Sequence, residues 1–182
     1  MTAPAETIGK QERKYPNYKG LAGYIDSQAR PTLLRWRKTE TPILKGEAEV
    51  LLESFNIYIT PAKTAALTAF LDVYGNSKES FIFNPETPVR NSGLGIALKR
   101  RVSGLSEPHQ QANRILKTWL TFSGEEFTKI ELQKLIRFTK NNGVFFDLPS
   151  IIRMVLEWDN NKDFQIQTIS QEYYSNNKGE NQ

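Results

Sequence analysis

Helix start and stop signals in the C-terminal third of the chain constrain its fold more than any other feature. Thr128 followed by Glu131 has the spacing of a capping box, in which each side chain accepts a hydrogen bond from the other residue's backbone N–H. Asn141-Asn142-Gly143 is a typical helix end, and Asp147 can cap a second helix. These signals predict two consecutive helices, at 128–141 and 147–158.

The other apolar segments favour strands, because they are short and rich in β-branched and aromatic residues. Predicted strands lie at 33–37, 49–60, 80–83 and 95–102, with a last one at 164–167. Thr60 and Pro61 are a helix cap and a first-turn proline, so a helix is expected from Pro61 to Gly75-Asn76. Ser106, with Pro108 in the following turn, is expected to open another helix.

Together these elements predict an α+β fold. A β-rich region with one helix would cover 21–104, and a mainly helical region ending in a short strand would cover 105–174. The two regions are expected to share one core, since a chain of 182 residues suits a single domain. The polar segments 1–20 and 175–182 are predicted to be a flexible arm and a flexible tail.

Composition excludes several classes of site. The chain has no cysteine, which rules out disulfides, thiol nucleophiles and thiolate metal ligands. His109 is the only histidine, so zinc centres and histidine relays are not expected. No apolar run approaches the ~20 residues of a membrane helix, and the N-terminus lacks the apolar region of a signal peptide. The expectation is a cytoplasmic protein without membrane contact.

Basic residues are concentrated in one part of the chain. The formal net charge is +4, yet residues 99–140 alone hold nine basic and four acidic side chains. Clustered cations are typical of proteins that contact phosphate backbones, where binding energy comes largely from counterion release. The candidate phosphate ligands are Lys99, Arg100, Arg101, Arg114, Lys117, Lys134 and Arg137, and Lys140 continues the last stripe. The competing interpretation is an ordinary solvated helix face.

A second basic candidate is Arg35-Trp36-Arg37-Lys38. On the predicted strand Arg35 and Arg37 share one face, and Trp36 lies on the other. Proteins that bind single strands combine such cations with stacking aromatic rings. The tendency of tryptophan to be buried favours a core position for Trp36 instead.

Three other motifs are disfavoured. The helix pair and the strand after it would suit a winged helix-turn-helix, but the connection from Asn142 to Phe146 exceeds the usual turn of about three to four residues. Asp159 to Asp163 begins like a calcium loop, but Phe164 stands where glycine is required. Ser92-Gly93-Leu94-Gly95 is expected to lead into a strand, which favours a hairpin or bulge over a phosphate-binding loop.

Catalytic motifs are missing as well. His109 is predicted to lie exposed in a first helical turn, and the adjacent Glu125 and Glu126 do not face each other on a helix. We therefore expect no enzyme and no cofactor, but a nucleic-acid-associated protein that binds the phosphate backbone with little sequence readout. The alternative is a structural or assembly protein that binds protein partners or itself through exposed aromatics and terminal arms. The aromatics in predicted connections are Phe122, Phe127, Phe145, Phe146, Tyr173 and Tyr174.

Overall fold

The computed structural model describes residues 15–38, 41–86 and 91–175, and this part of the chain is nearly all helical. The helices are α1 (Tyr18–Asp26), α2 (Arg30–Lys38), α3 (Thr41–Ser54), α4 (Pro61–Ser77), α5 (Leu94–Val102), α6 (Pro108–Trp119), α7 (Gly124–Glu126), α8 (Gln133–Thr139), α9 (Leu148–Glu157) and α10 (Lys162–Ser175). A π-helical segment, π1 (Phe127–Leu132), joins α7 to α8, and a 3-10 turn (Lys78–Ser80) follows α4. Most of the predicted arm and tail lies outside the described residues.

The described residues form one small sheet. Strand β1 (Phe81–Ile82) pairs in parallel with β2 (Phe146–Asp147), with Phe81 opposite Phe146. The rings of these two phenylalanines lie 5.9 Å apart. The sheet therefore connects the end of α4 to the start of α9 across a long stretch of sequence.

The prediction of an α+β fold with a β-rich N-terminal region is wrong, because most of the predicted strands are helical. The segments 33–37, 49–54, 95–102 and 164–167 belong to α2, α3, α5 and α10. In α5 the buried residues Leu94, Ala97, Leu98 and Val102 follow a helical period, not the alternation of a strand. In α3 the buried stripe begins at Leu44, upstream of the segment in which alternation suggested a strand.

Helix α4 lies at the centre of the fold, and its predicted start is confirmed. The hydroxyl of Thr60 accepts a hydrogen bond from the backbone N–H of Lys63 at 3.1 Å, and Pro61 occupies the first helical position. The helix packs against α2, α3, α7 and α9 and is buried on nearly every side. Phe70 and Tyr74 contact the ring of Phe81, which joins α4 to β1.

The predicted helix pair is confirmed for its second member and shifted for its first. Asp147 caps α9 by accepting from the backbone N–H of Ser150 at 3.0 Å. The first helix starts earlier than predicted, because the capping box is formed by Ser123 and Glu126. Thr128 lies inside the helix and donates to the Gly124 carbonyl. The upstream start places Phe127 one turn into the helix, where its ring stacks on Trp158 with the centroids 4.0 Å apart.

One hydrophobic cluster extends from Leu21 in α1 to Tyr173 in α10. The three tryptophans, Trp36, Trp119 and Trp158, are fully buried in it, which confirms the predicted core position of Trp36. None of the helices in the described ranges is both long and apolar enough to span a membrane.

Candidate nucleic-acid interface

The three consecutive cations of α5 do not share a face. On a helix, neighbouring side chains point about 100° apart, so Lys99, Arg100 and Arg101 fan out around the axis. Arg100 is exposed, whereas Arg101 is partly buried and forms an ion pair with Glu131 at 2.5 Å. The basic residues of the predicted strand therefore do not form one surface, because one is exposed and another is paired inside the fold.

Glu131 is a buried carboxylate in π1 that gathers three donors. It accepts from Arg101, from the indole N–H of Trp119 at 2.9 Å, and from Lys134 at 2.9 Å. Burial acts to raise the pKa of Glu131, but hydrogen bonds from Lys134, Arg101 and Trp119 outweigh it and hold the pKa below its usual value. Two of the predicted phosphate ligands, the partly buried Arg101 and the exposed Lys134, therefore bind a buried carboxylate that joins α5, α6 and α8.

Arg35, another predicted phosphate ligand, is also paired with a carboxylate of the protein. Its guanidinium forms two hydrogen bonds with the carboxylate of Glu47, at 2.7 and 2.8 Å. The indole N–H of Trp36 donates to the same carboxylate at 3.0 Å. This shared acceptor links α2 to α3. Because α2 is a helix and not the predicted strand, Arg35 and Arg37 point about 200° apart and do not share one face.

Arg114 and Lys117 lie exposed on the outer side of α6. Lys117 borders a shallow cavity between α6 and α10, opposite Asp163 and Gln167.

A polar groove lies between the C-terminal end of α4 and α8, and we call it the α4-end groove. It encloses about 390 Å³. Its walls are Val73, Asn76, Ser77, Gln133, Ile136, Arg137 and Lys140. The Asn76 amide already donates to Asp72. The amide of Gln133, the hydroxyl of Ser77 and the two cationic groups are the kinds of donor that contact phosphate oxygens in protein–nucleic acid complexes.

Arg37 from α2 lies at the same end of α4. Its side chain passes over Gly75, since a Cβ built there would lie 3.1 Å from the Arg37 Cγ. Its charge also acts on the carboxyls of Asp72 and Glu79 beside the groove. Arg37 thus joins Arg137 at this end of the fold, although the two residues lie on helices far apart in sequence.

Two carboxylates border the groove. Glu79 forms an exposed ion pair with Lys140 at 3.1 Å. A hydrogen bond from its own backbone lowers the pKa of Glu79, and Lys140 and Arg37 lower it further despite partial burial. Burial raises the pKa of Asp72, which accepts a hydrogen bond from Asn76 at 3.1 Å. Exposed ion pairs contribute only about 0–1 kcal/mol, so Lys140 can exchange Glu79 for another anion at little cost.

The glycine loop at 92–95 leads into helix α5 and not into a strand, which corrects the expected hairpin or bulge. Gly93 has a φ of 87° and precedes the first turn of α5. The donors of this turn are occupied by the buried carboxylate of Glu172. It accepts from the backbone N–H and hydroxyl of Ser92, at 2.5 and 2.9 Å, and from the N–H of Gly95 at 3.1 Å. The loop therefore binds an internal anion.

The disfavoured motifs are absent from the described residues. Helix α9 packs against α1 and α4 with most of its surface buried, and the predicted wing is helix α10, so no exposed recognition helix exists there. The segment after α9 is a short turn, and among residues 15–38, 41–86 and 91–175 no group of three or more acidic or histidine side chains could hold a metal ion.

Arg37, Arg137 and Lys140 were recognisable in the sequence as candidate cations, but their proximity was not. Asn76, Ser77 and Gln133 were not predicted to belong to a site. The spacing of Gln133, Arg137 and Lys140 at i, i+4 and i+7 places them along one side of α8 and was a usable signal. Comparisons with protein-family models, with curated proteins and with solved structures find no match to this chain.

Proposed function

We propose that the chain is a non-enzymatic nucleic-acid-associated protein that contacts the phosphate backbone at the α4-end groove. The proposal rests on the position of Arg37 from α2 at the same end of α4 as two groove cations, Arg137 of α8 and Lys140 just after it. Backbone contacts of this kind position a protein on nucleic acid without reading its bases.

The other predicted phosphate ligands give less support to the proposal. Arg101 and Lys134 bind Glu131, and Arg35 binds Glu47. Only some of the basic excess predicted from the sequence is therefore available for a polyanion, and the available residues are spread over α2, α5, α6 and α8. The proposed interface is correspondingly small, which favours weak and non-specific binding over tight sequence-specific binding.

Two charge-matched variants of the full chain test this proposal. The groove variant carries Arg37→Gln, Arg137→Gln and Lys140→Gln. The control carries Arg100→Gln, Arg114→Gln and Lys117→Gln, which removes the same three charges from α5 and α6. Fluorescence anisotropy measures the affinity of each for labelled duplex and single-stranded DNA and RNA over a range of salt concentrations.

We expect the wild-type affinity to fall steeply with salt. The slope of log K against log salt should decrease by about 2 to 3 in the groove variant, because each phosphate contact to duplex DNA contributes about 0.9. The control should keep most of the wild-type slope. Absence of binding at low ionic strength, salt-independent binding, or an equal loss in both variants would refute the proposed interface.

The alternative, an assembly protein that uses exposed aromatics, has less support. Phe127, Phe146 and Tyr173 of the aromatics considered are buried in the core. Phe145 and Tyr174 are exposed on different elements. A solution mass of several times 20.9 kDa, measured by light scattering, would favour assembly.

A further inference from the structure

A second cavity lies between α9 and α10, beside the N-terminal end of α5, and we call it the α9–α10 cleft. It encloses about 210 Å³. Its walls include Ser150, Arg153, Met154, Phe164, Gln165 and Glu172. None of its residues belongs to the α4-end groove, so the inference drawn from it does not depend on the function proposed above.

The side-chain amide of Gln165 lines the cleft without a hydrogen-bond partner. Gln165 is only 7% exposed, and its amide makes no hydrogen bond to any other described residue. The amide atoms are not fully enclosed by the protein, so they remain accessible to a ligand in the cleft. An amide presents a donor and an acceptor side by side, which matches a ligand that has an adjacent acceptor and donor.

The mouth of the cleft adds an aromatic ring and a cation. Phe164 lies in the same turn of α10 and is 62% exposed. Arg153 on α9 is exposed and forms no ion pair with another described residue. The ring offers a surface for stacking, and the guanidinium offers a partner for a phosphate.

We propose that the α9–α10 cleft binds a nucleotide. The base stacks on Phe164 and exchanges hydrogen bonds with the Gln165 amide, and the phosphate lies at Arg153 outside the deeper part of the cleft. The buried carboxylate of Glu172 repels a phosphate from the floor, which gives the ligand one orientation. The volume of 210 Å³ is below that of typical pockets for drug-sized ligands, about 300–1,000 Å³, and suits a single base.

The same chemistry is presented by a free mononucleotide and by an unstacked base of a single strand. The full chain is titrated with the four nucleoside monophosphates, the matching nucleosides and ribose 5-phosphate, by calorimetry. We expect saturable binding of at least one monophosphate, weaker binding of its nucleoside, and none of ribose 5-phosphate. Competition by a short single-stranded oligonucleotide at lower concentration than the monophosphate would identify a strand as the source of the base.

Matched variants assign the binding to the cleft. Gln165→Met and Arg153→Gln should each weaken the best monophosphate by about fivefold or more, as expected for the loss of a hydrogen bond or a charge-assisted contact. Gln171→Met, on the exposed side of α10, and Arg114→Gln, on α6, should leave the affinity within about twofold. Thermal unfolding verifies that each variant is folded.

Three results would overturn the inference: no saturable binding of any monophosphate at millimolar concentration, equal binding of ribose 5-phosphate, or unchanged affinity in both cleft variants. The groove variant, with Arg37, Arg137 and Lys140 replaced by glutamine, should still bind the monophosphate. Monophosphate binding by this variant therefore shows whether the nucleotide site in the cleft is independent of the proposed phosphate-backbone interface.

Discussion

The indole N–H of Trp119 donates a hydrogen bond to the carboxylate of Glu131 over 2.9 Å, where α6 meets π1. The same carboxylate binds Arg101 and Lys134. A single buried acceptor thus satisfies one neutral donor and two cations from three helices. Such a group is expensive to bury alone and favourable only when its partners are in place.

Replacing this carboxylate should therefore destabilise the fold. Glu131→Gln removes the negative charge and leaves Arg101, which is only 20% exposed, facing a neutral amide. We expect a loss of about 2–3 kcal/mol in the free energy of unfolding, measured with urea. The control is Glu125→Gln, which breaks the exposed i, i+4 pair with Lys129 and should cost about 0.5 kcal/mol or less. Equal effects of the two changes would contradict this account.

Stability should also fall on acidification. The pKa values of Glu131 and Glu157 are below their usual range in the folded protein, because hydrogen bonds and cations outweigh the effect of burial. Each group therefore stabilises the fold above its unfolded pKa of about 4.3, and that contribution is lost as the pH falls through the lower folded value. Burial raises the pKa of Asp72, so this residue has the opposite effect.

Urea unfolding between about pH 7 and pH 3 measures this dependence. The Glu131→Gln variant should show a smaller loss over the same interval, because it no longer has the titrating group. A wild-type stability that stays constant or increases toward pH 3 would be inconsistent with the depressed pKa values.

The contact between α5 and α10 depends on a glycine. A Cβ at Gly95 would lie 2.4 Å from the Glu172 Cβ and 2.5 Å from the backbone nitrogen of Tyr173. We expect Gly95→Ala to destabilise the protein by about 2–3 kcal/mol, because backbone must move to accept the methyl group. Gly46→Ala in α3 meets no atom within 4 Å and should stabilise the protein by about 0.5–1 kcal/mol. Thermal denaturation of both variants should give shifts of opposite sign.

Two buried threonines of α4 offer a comparison of a satisfied and an unsatisfied hydroxyl. The hydroxyl of Thr64 has no hydrogen-bond partner among the described residues, whereas that of Thr68 donates to the Thr64 carbonyl at 2.7 Å. Thr64→Val should raise the free energy of unfolding by about 1 kcal/mol, because it removes an uncompensated polar group. Thr68→Val should lower it by about 1 kcal/mol. A destabilised Thr64→Val protein would show that the hydroxyl does find a partner.

Sequence patterns predicted correctly the helix starts that are fixed by a capping side chain close to them in sequence. Thr60 and Asp147 were recognisable because a cap and its N–H partner lie within three residues. The box at Thr128 was misplaced because Ser123 and Glu126 have the same spacing, and only the packing of Phe127 on Trp158 distinguishes the two.

Two of the helices that were predicted as strands lack a clear apolar stripe. Trp36 is the buried residue of α2, so that helix shows no period. In α10 the buried positions include the polar residues Gln165 and Glu172, so the hydrophobic residues alone do not show the helical period. The proposed interface at the end of α4 depends on Arg37 reaching Gly75 from another helix, and such long-range proximity has no signature in one sequence.

The π-helical segment π1 makes the helical rod from α7 to α8 tolerant of a change in chain length. A π turn closes its hydrogen bonds five residues apart, so it accommodates one residue more than an α-helical turn. Deleting one residue there, such as the exposed Ile130, would restore regular helix and leave Phe127 and Glu131 close to their present relative orientation. A single-residue deletion in π1 should thus be less damaging than a deletion inside the regular helix α4, where it would rotate the two ends of the helix by about 100° relative to each other.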